Sequence, residues 1–143
     1  MANDETQIKL LTPAEADALL PRIRLALKAL RQQRDRILRT QAQVEIEEMT
    51  GADSKGQFSP SGQAAVTKAM QDLQSQTRLF EEKLREMFGW GAHLKDLDGG
   101  LVDFYCLREG EVVFLCWKEG EAKITHWHSL QGGFANRKPL NGH

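Results

Sequence analysis

Apolar residues recur at alternating spacings of three and four through Leu20, Ile23, Leu27, Leu30, Ile37 and Val44. That period marks a long helix whose apolar seam lies along a partner helix. Val66, Met70, Leu73, Thr77, Phe80, Leu84 and Met87 repeat it and stop at Gly89, the residue expected to cap the second helix. Between the two runs, residues 51–60 hold glycine, serine and aspartate with no periodic apolar face, so they read as a flexible loop. The prediction is a long antiparallel, coiled-coil-like helical hairpin over residues 12–89.

Local signals support its ends. Thr12 and Glu15 can form a reciprocal capping box around Pro13, and Ser59-Pro60 repeats that kind of start. Arg34 and Gln41 fall on the seam, where a polar residue lowers stability but can fix register and partner. Pro21 removes a ladder hydrogen bond, which predicts a kink or restart early in the first helix.

From Ala92 the period changes to two. Turn signals at Gly99-Gly100, Glu109-Gly110 and Glu119-Gly120 separate four short runs rich in Val, Phe, Leu and Trp, which predicts a four-stranded antiparallel meander over residues 92–128. Residues 129–143 read as an irregular tail anchored by Phe134. The fold class is α+β, and the length of 143 residues fits one domain spanning 1–143.

Two-residue turns set a register in which Leu97 faces Val102, Leu107 faces Val112 and Trp117 faces Ala122. One face then collects Val102, Phe104, Cys106, Val113, Leu115, Trp117 and Ile124, with His93, His126 and His128 near an edge. The other collects Tyr105, Leu107, Val112, Phe114, Cys116 and Trp127, with Asp96 opposite Asp103 and Lys123 in the same row. A sheet apolar on both sides needs two covers. The helices supply one, and either the tail or a second subunit must supply the other, which leads us to expect a homodimer.

This register places Cys116 away from His126 and His128, so those three residues cannot form a ligand cluster despite their proximity in sequence. It leaves His93, Cys106 and His126 in one row instead. Asp96 and Asp103, as adjacent carboxylates, would repel unless salt-bridged to Lys95 or Lys123, protonated, or bound to a cation.

With 19 Lys and Arg against 20 Asp and Glu, the net charge of -1 gives no general attraction to nucleic acid or anionic membrane. Arg24, Lys28, Arg31 and Arg39 form a basic stripe on the first helix, but Glu81, Glu82 and Glu86 are its expected partners, so nucleic-acid binding is not expected. No apolar run could cross a membrane, the start of the chain is polar and acidic, and two cysteines are too few for a disulfide framework. We expect a cytoplasmic protein. No phosphate loop, serine elbow, CxxC or helical His pair occurs, so no catalytic residue or cofactor is indicated and the balance leans away from an enzyme.

The stretches LTPAEADALLPRIR, LKDLDGGLVDF, VVFLCW and ITHWHSLQGGFANRKPL resemble an uncharacterised bacterial family, Domain of Unknown Function 2203, over nearly the whole chain outside the 51–60 loop. The resemblance implies a small cytoplasmic protein. Its pattern brings forward Asp96, Asp103, Trp117, Trp127, His128, Phe134 and Arg137, whereas His126 occupies a variable place. The leading expectation is a non-enzymatic dimeric interaction or scaffold protein that presents the helical hairpin to a protein partner. The alternative is a metal- or small-ligand-binding protein with Asp96, Asp103 and His128 as the metal candidates, and with Trp117, Trp127 and Arg137 as further binding candidates.

Overall fold

The structure, a computed structural model, describes residues 8–140. The polar start of the chain, residues 1–7, lies outside the described residues, as do residues 141–143. Two helices, α1 (Pro13–Gly51) and α2 (Pro60–Trp90), precede a sheet of five strands. These are β1 (Ala92–Asp96), β2 (Leu101–Arg108), β3 (Glu111–Lys118), β4 (His126–His128) and β5 (Lys138–Pro139), with a 3-10 turn at Phe134–Asn136 before the last. The sheet is an antiparallel meander in the order β1-β2-β3-β4-β5. This is the expected α+β arrangement with one strand more, because part of the tail joins the sheet edge.

The helix starts form as the sequence requires. Thr12 N–H donates to Glu15 Oε1 at 2.8 Å and Glu15 N–H to Thr12 Oγ1 at 3.1 Å, while Gly62 N–H donates to Ser59 Oγ at 3.0 Å. α1 runs through Pro21 without a restart, and Pro21 lies on the exposed side of the helix. α2 continues through Gly89 to Trp90. The capping glycine is Gly91, with φ of 101° and its N–H on Phe88 O at 2.9 Å.

Contacts gather the chain into two compact units, Leu30–Glu82 and the residues on either side of that stretch. Within Leu30–Glu82 the buried polar residue is Gln33, not Arg34 or Gln41. A straight helix repeats every 3.6 residues, so the buried stripe drifts off a strict heptad and reaches position 33 before 34. Gln33 Nε2 donates to Gln76 O at 2.9 Å, and Thr40 Oγ1 donates to Gln76 Oε1 at 2.8 Å. The loop expected to be flexible closes on itself: Asp53 Oδ1 accepts from Lys55 N–H at 2.8 Å and from Gln57 N–H at 2.9 Å.

In the other unit, Val102, Phe104, Leu115 and Trp117 on one sheet face have no exposed surface, as do Ile23 and Leu27 of α1. The β2–β3 hairpin has the expected register, Leu107 opposite Val112, because Glu109 and Gly110 both take positive φ, 52° and 81°, in a two-residue turn. The two neighbouring connections do not. β1 pairs with β2 through Leu94 opposite Val102 and His93 opposite Asp103, three residues from the expected register, because the turn takes four residues, Leu97–Gly100, and a bulge lies between Leu94 and Asp96. Asp96 consequently faces Leu101, and the expected Asp96–Asp103 pair does not form.

β4 is displaced by three residues as well. The chain does turn at Glu119-Gly120, but residues 121–125 detour before pairing resumes with Cys116 opposite His126, Leu115 opposite Trp127 and Phe114 opposite His128. Ile124, buried in this detour, is tied down by its N–H to Asp17 Oδ1 at 2.6 Å. An odd displacement exchanges faces. His93, His126 and His128 therefore share the Asp103–Cys116 face, Trp127 joins Trp117 on the other, and the expected His93–Cys106–His126 row is absent because Cys106 points oppositely.

The chain that follows β4 lies over one end of the Asp103–Cys116 face, where Leu130, Gln131, Gly133 and Phe134 border a pocket together with Asp103, Phe114 and His128. The other end of the face stays open, with Leu107 at 57% exposure. Much of the cover that the sequence assigned to the tail or a second subunit is thus supplied by the tail.

Candidate metal centre

Antiparallel pairing lines up His93, Asp103, Cys116 and His126 in one row across β1 to β4. Cross-strand neighbours in such a row bring their Cβ atoms to within about 5 Å. His128 lies two positions beyond His126 on the same face, beside Phe114 and diagonal to Asp103. From there its Nε2 reaches Asp103 Oδ2 at 3.0 Å, with both residues 3% exposed.

The other ring nitrogen decides the protonation pattern. His128 Nδ1 lies 2.6 Å from Ser129 O and 3.2 Å from Gly133 N; the first contact is a hydrogen bond with a hydrogen on Nδ1, the second with a lone pair there, and the shorter one favours Nδ1–H. With Nδ1 protonated, the Nε2 lone pair of a neutral ring would face Asp103, so the contact holds one shared proton, on either nitrogen or oxygen. Burial pushes the Asp103 carboxyl above its usual range, against the opposing pull of His128 and Lys95. Its second oxygen, Oδ1, is buried with no hydrogen-bond partner among the described residues.

Cys116 completes the cluster. It is fully buried, and one donor atom from each of Asp103, Cys116 and His128 lies within 4.8 Å of the others. Burial first, and the Asp103 charge second, push the Cys116 thiol up to about 12, outweighing the Arg137 guanidinium. A thiol so held is a poor nucleophile. Arg137 Nη2 donates to Glu121 Oε2 at 2.8 Å and its guanidinium sits 4.3 Å from the centre of the Phe134 ring, while Nη1 is buried without a hydrogen-bond partner among the described residues.

One oxygen, one sulfur and one nitrogen donor around a common point are the ligand types of a zinc-class ion. Bond lengths of about 2.0–2.3 Å imply donor separations of about 3.4–3.6 Å in a tetrahedral site. Side-chain rotations on the order of 1 Å would draw the cluster to that size. An Nδ1–H to carbonyl bond is the kind of outer support that orients metal-binding histidines, and here it would leave Nε2 facing Asp103 and Cys116.

The family described as "Uncharacterized conserved protein (DUF2203)" matches residues 9–140. The chain belongs to that family. No curated protein and no solved structure matches it.

Of the residues that the DUF2203 resemblance brings forward, Asp103 and His128 meet directly, and Arg137 and Phe134 flank them. Asp96 does not join them. It is exposed at the end of β1, where its Oδ2 would lie 2.7 Å from a Cβ added at Gly99. Trp117 is a core residue on the opposite face, its Nε1 donating to Glu121 O at 2.9 Å. Trp127 is half-buried there, with Arg108 5.0 Å and Lys138 5.2 Å from its ring centre. His126 Nδ1 is engaged by Thr125 Oγ1 at 2.8 Å.

His93 packs edge-on to Phe88 and Tyr105, and burial followed by the Lys95 charge lowers its pKa, so it serves as an apolar ring in this wall. Sequence reasoning missed Cys116. The available signal was chemical: placing Trp127 on the core face, beside Leu115, also places both histidines with Cys116. On α1, Arg22 and Arg24 of the basic segment lie against the Trp90 and Trp117 rings at 5.1 and 5.6 Å. Among the described residues no helix is long and apolar enough to cross a membrane.

Proposed function

We propose that this DUF2203 protein binds a transition-metal ion of the zinc class through Asp103, Cys116 and His128. The observation that carries this reading is the convergence of donor atoms from buried Asp103, Cys116 and His128 within 4.8 Å of one another, with the 2.6 Å contact of His128 Nδ1 to Ser129 O orienting the ring. The unpartnered Asp103 Oδ1 adds a second acceptor with nothing to accept. Binding would displace the Cys116 proton and the proton shared by Asp103 and His128, so affinity should rise with pH. Arg137, paired with Glu121, lies where it can offset the thiolate charge.

Chelator-treated protein titrated with Zn2+ should bind one equivalent, and at a hundredfold excess over Kd its Tm should rise by about 5–10 °C. Co2+ should bind in the same place and give a thiolate charge-transfer band. Cys116→Ser should remove the band and Cys116→Ala should abolish the Tm shift. Absence of stoichiometric binding by the wild type, or unchanged Co2+ spectra in Cys116→Ser, overturns the reading whatever the stability of the variants.

A second reading concerns the Leu30–Glu82 unit, in which Met49 is 80% exposed and Leu38, Ile46, Met70 and Leu79 are also exposed. Large apolar side chains in such numbers favour a hairpin that meets a protein partner, a second copy of the chain included. Light scattering across a concentration series tests the homodimer: a strict monomer throughout rules it out.

A further inference from the structure

A pocket of about 240 Å³ opens beside the cluster, with Asp103 and His128 in its wall. Phe114, Leu130 and Phe134 line it with apolar surface, and Lys95 and Gln131 contribute polar groups. Lys95 Nζ lies 4.5 Å from the centre of the Phe114 ring, close enough to Asp103 to act on its carboxyl. These residues all belong to the unit that holds the sheet.

Resting on the metal reading above, we propose that this pocket binds a small organic monocarboxylate, its carboxylate paired with Lys95 and completing the coordination of the ion. The charge balance points to an anion. A divalent ion would be neutralised by the Asp103 carboxylate and the Cys116 thiolate, His128 would bind as the neutral ring, and Arg137 is already matched by Glu121. The Lys95 ammonium then remains as the positive charge in the pocket wall. Three protein donors leave a zinc-class ion with an open position, and a carboxylate oxygen suits it.

The apolar walls select the rest of the ligand. The volume has the room of about eight water molecules, each taking ~30 Å³ in the liquid. That matches a short aliphatic acid better than a nucleotide or a sugar phosphate. A ligand body packed against Phe114, Leu130 and Phe134 should gain roughly fourfold in affinity per added methylene until the pocket is full.

Calorimetric titration of the zinc-loaded protein with acetate, butanoate, hexanoate and inorganic phosphate tests this. The expected result is binding that strengthens from acetate to hexanoate, exceeds that of phosphate, and falls at least tenfold in Lys95→Gln and in zinc-free protein. Leu130→Ala provides a second variant at the apolar wall, expected to weaken hexanoate more than acetate. If zinc binds and no carboxylate does, this proposal fails while the metal reading stands. Carboxylate binding that is equal with and without zinc, or indifferent to Lys95, overturns it too. Failure of zinc itself to bind is read separately from the Co2+ spectra and removes both.

Discussion

Replacing His128 with leucine should destabilise the metal-free protein by about 3–5 kcal/mol at pH 8, the usual effect of removing one member of a buried charged pair. The loss should shrink as the pH falls toward 4. Asp103 is 3% exposed, its Oδ1 has no hydrogen-bond partner among the described residues, and its carboxyl is held by His128 Nε2, 3.0 Å from Oδ2, and by the neighbouring Cys116 thiol. Burial already raises this carboxyl above its usual value, with His128 opposing the rise, so the variant should raise it further. A carboxyl raised in the folded state contributes stability fully present below its unfolded pKa of 3.8 and lost as pH rises through the folded value. His128→Leu should therefore be close to harmless where Asp103 is protonated and severe where it must ionise. Urea unfolding from pH 4 to 8 reads the difference, and adding Asp103→Asn should recover most of the loss at pH 8. A loss of the same size at every pH would instead assign it to packing around residue 128.

That sensitivity belongs to a contact 25 residues apart in sequence, which is why local pattern alone could not locate it. The elements themselves were legible. The Thr12–Glu15 capping box, the Ser59 cap and the Glu109-Gly110 turn are each settled by residues within three or four positions of one another, and all form as read. The long apolar period likewise fixed α1 and α2, although the drift of a 3.6-residue repeat moved the buried polar position to Gln33.

The residues of the candidate site were half legible. Asp103, His128 and Arg137 stood out in the family resemblance, but pairing arithmetic kept Cys116 and His128 on opposite faces. In a strand a three-residue displacement exchanges faces as surely as one residue does. The detour before β4 is held by one distant contact, Ile124 N–H donating to Asp17 107 residues earlier, and by one local contact, Trp117 Nε1 donating to Glu121 O. A turn signal fixes where the chain reverses and leaves open where pairing resumes. The same is true of β1, where the four-residue turn and bulge moved Asp96 out and brought His93 beside Asp103.

Cys116 should dominate the alkaline behaviour of the metal-free protein. Its thiol is pushed from 9.0 up to about 12 by burial and by Asp103, so the folded state holds the proton more tightly than the unfolded chain. By linkage, the resulting stability is fully present below pH 9 and is lost between about 9 and 12 at up to about 1.4 kcal/mol per pH unit, on the order of 3–4 kcal/mol in all. Cys116→Val keeps an apolar side chain of similar bulk and has no proton to lose. The stability difference between wild type and Cys116→Val, measured with chelator present so that only the metal-free state contributes, should be level from pH 7 to 8.5 and then fall from pH 9 upward. Tyrosine and lysine titrations affect both proteins and leave the difference intact. On the proposed metal reading zinc should reverse the sign for the wild type: coordination would require the thiolate, so metal-dependent stabilisation should grow with pH over the range in which the metal-free protein weakens. A difference curve that stays level to pH 11 would mean that the thiolate is already tolerated beside Asp103. The high proton affinity on which that sign reversal depends would then be absent.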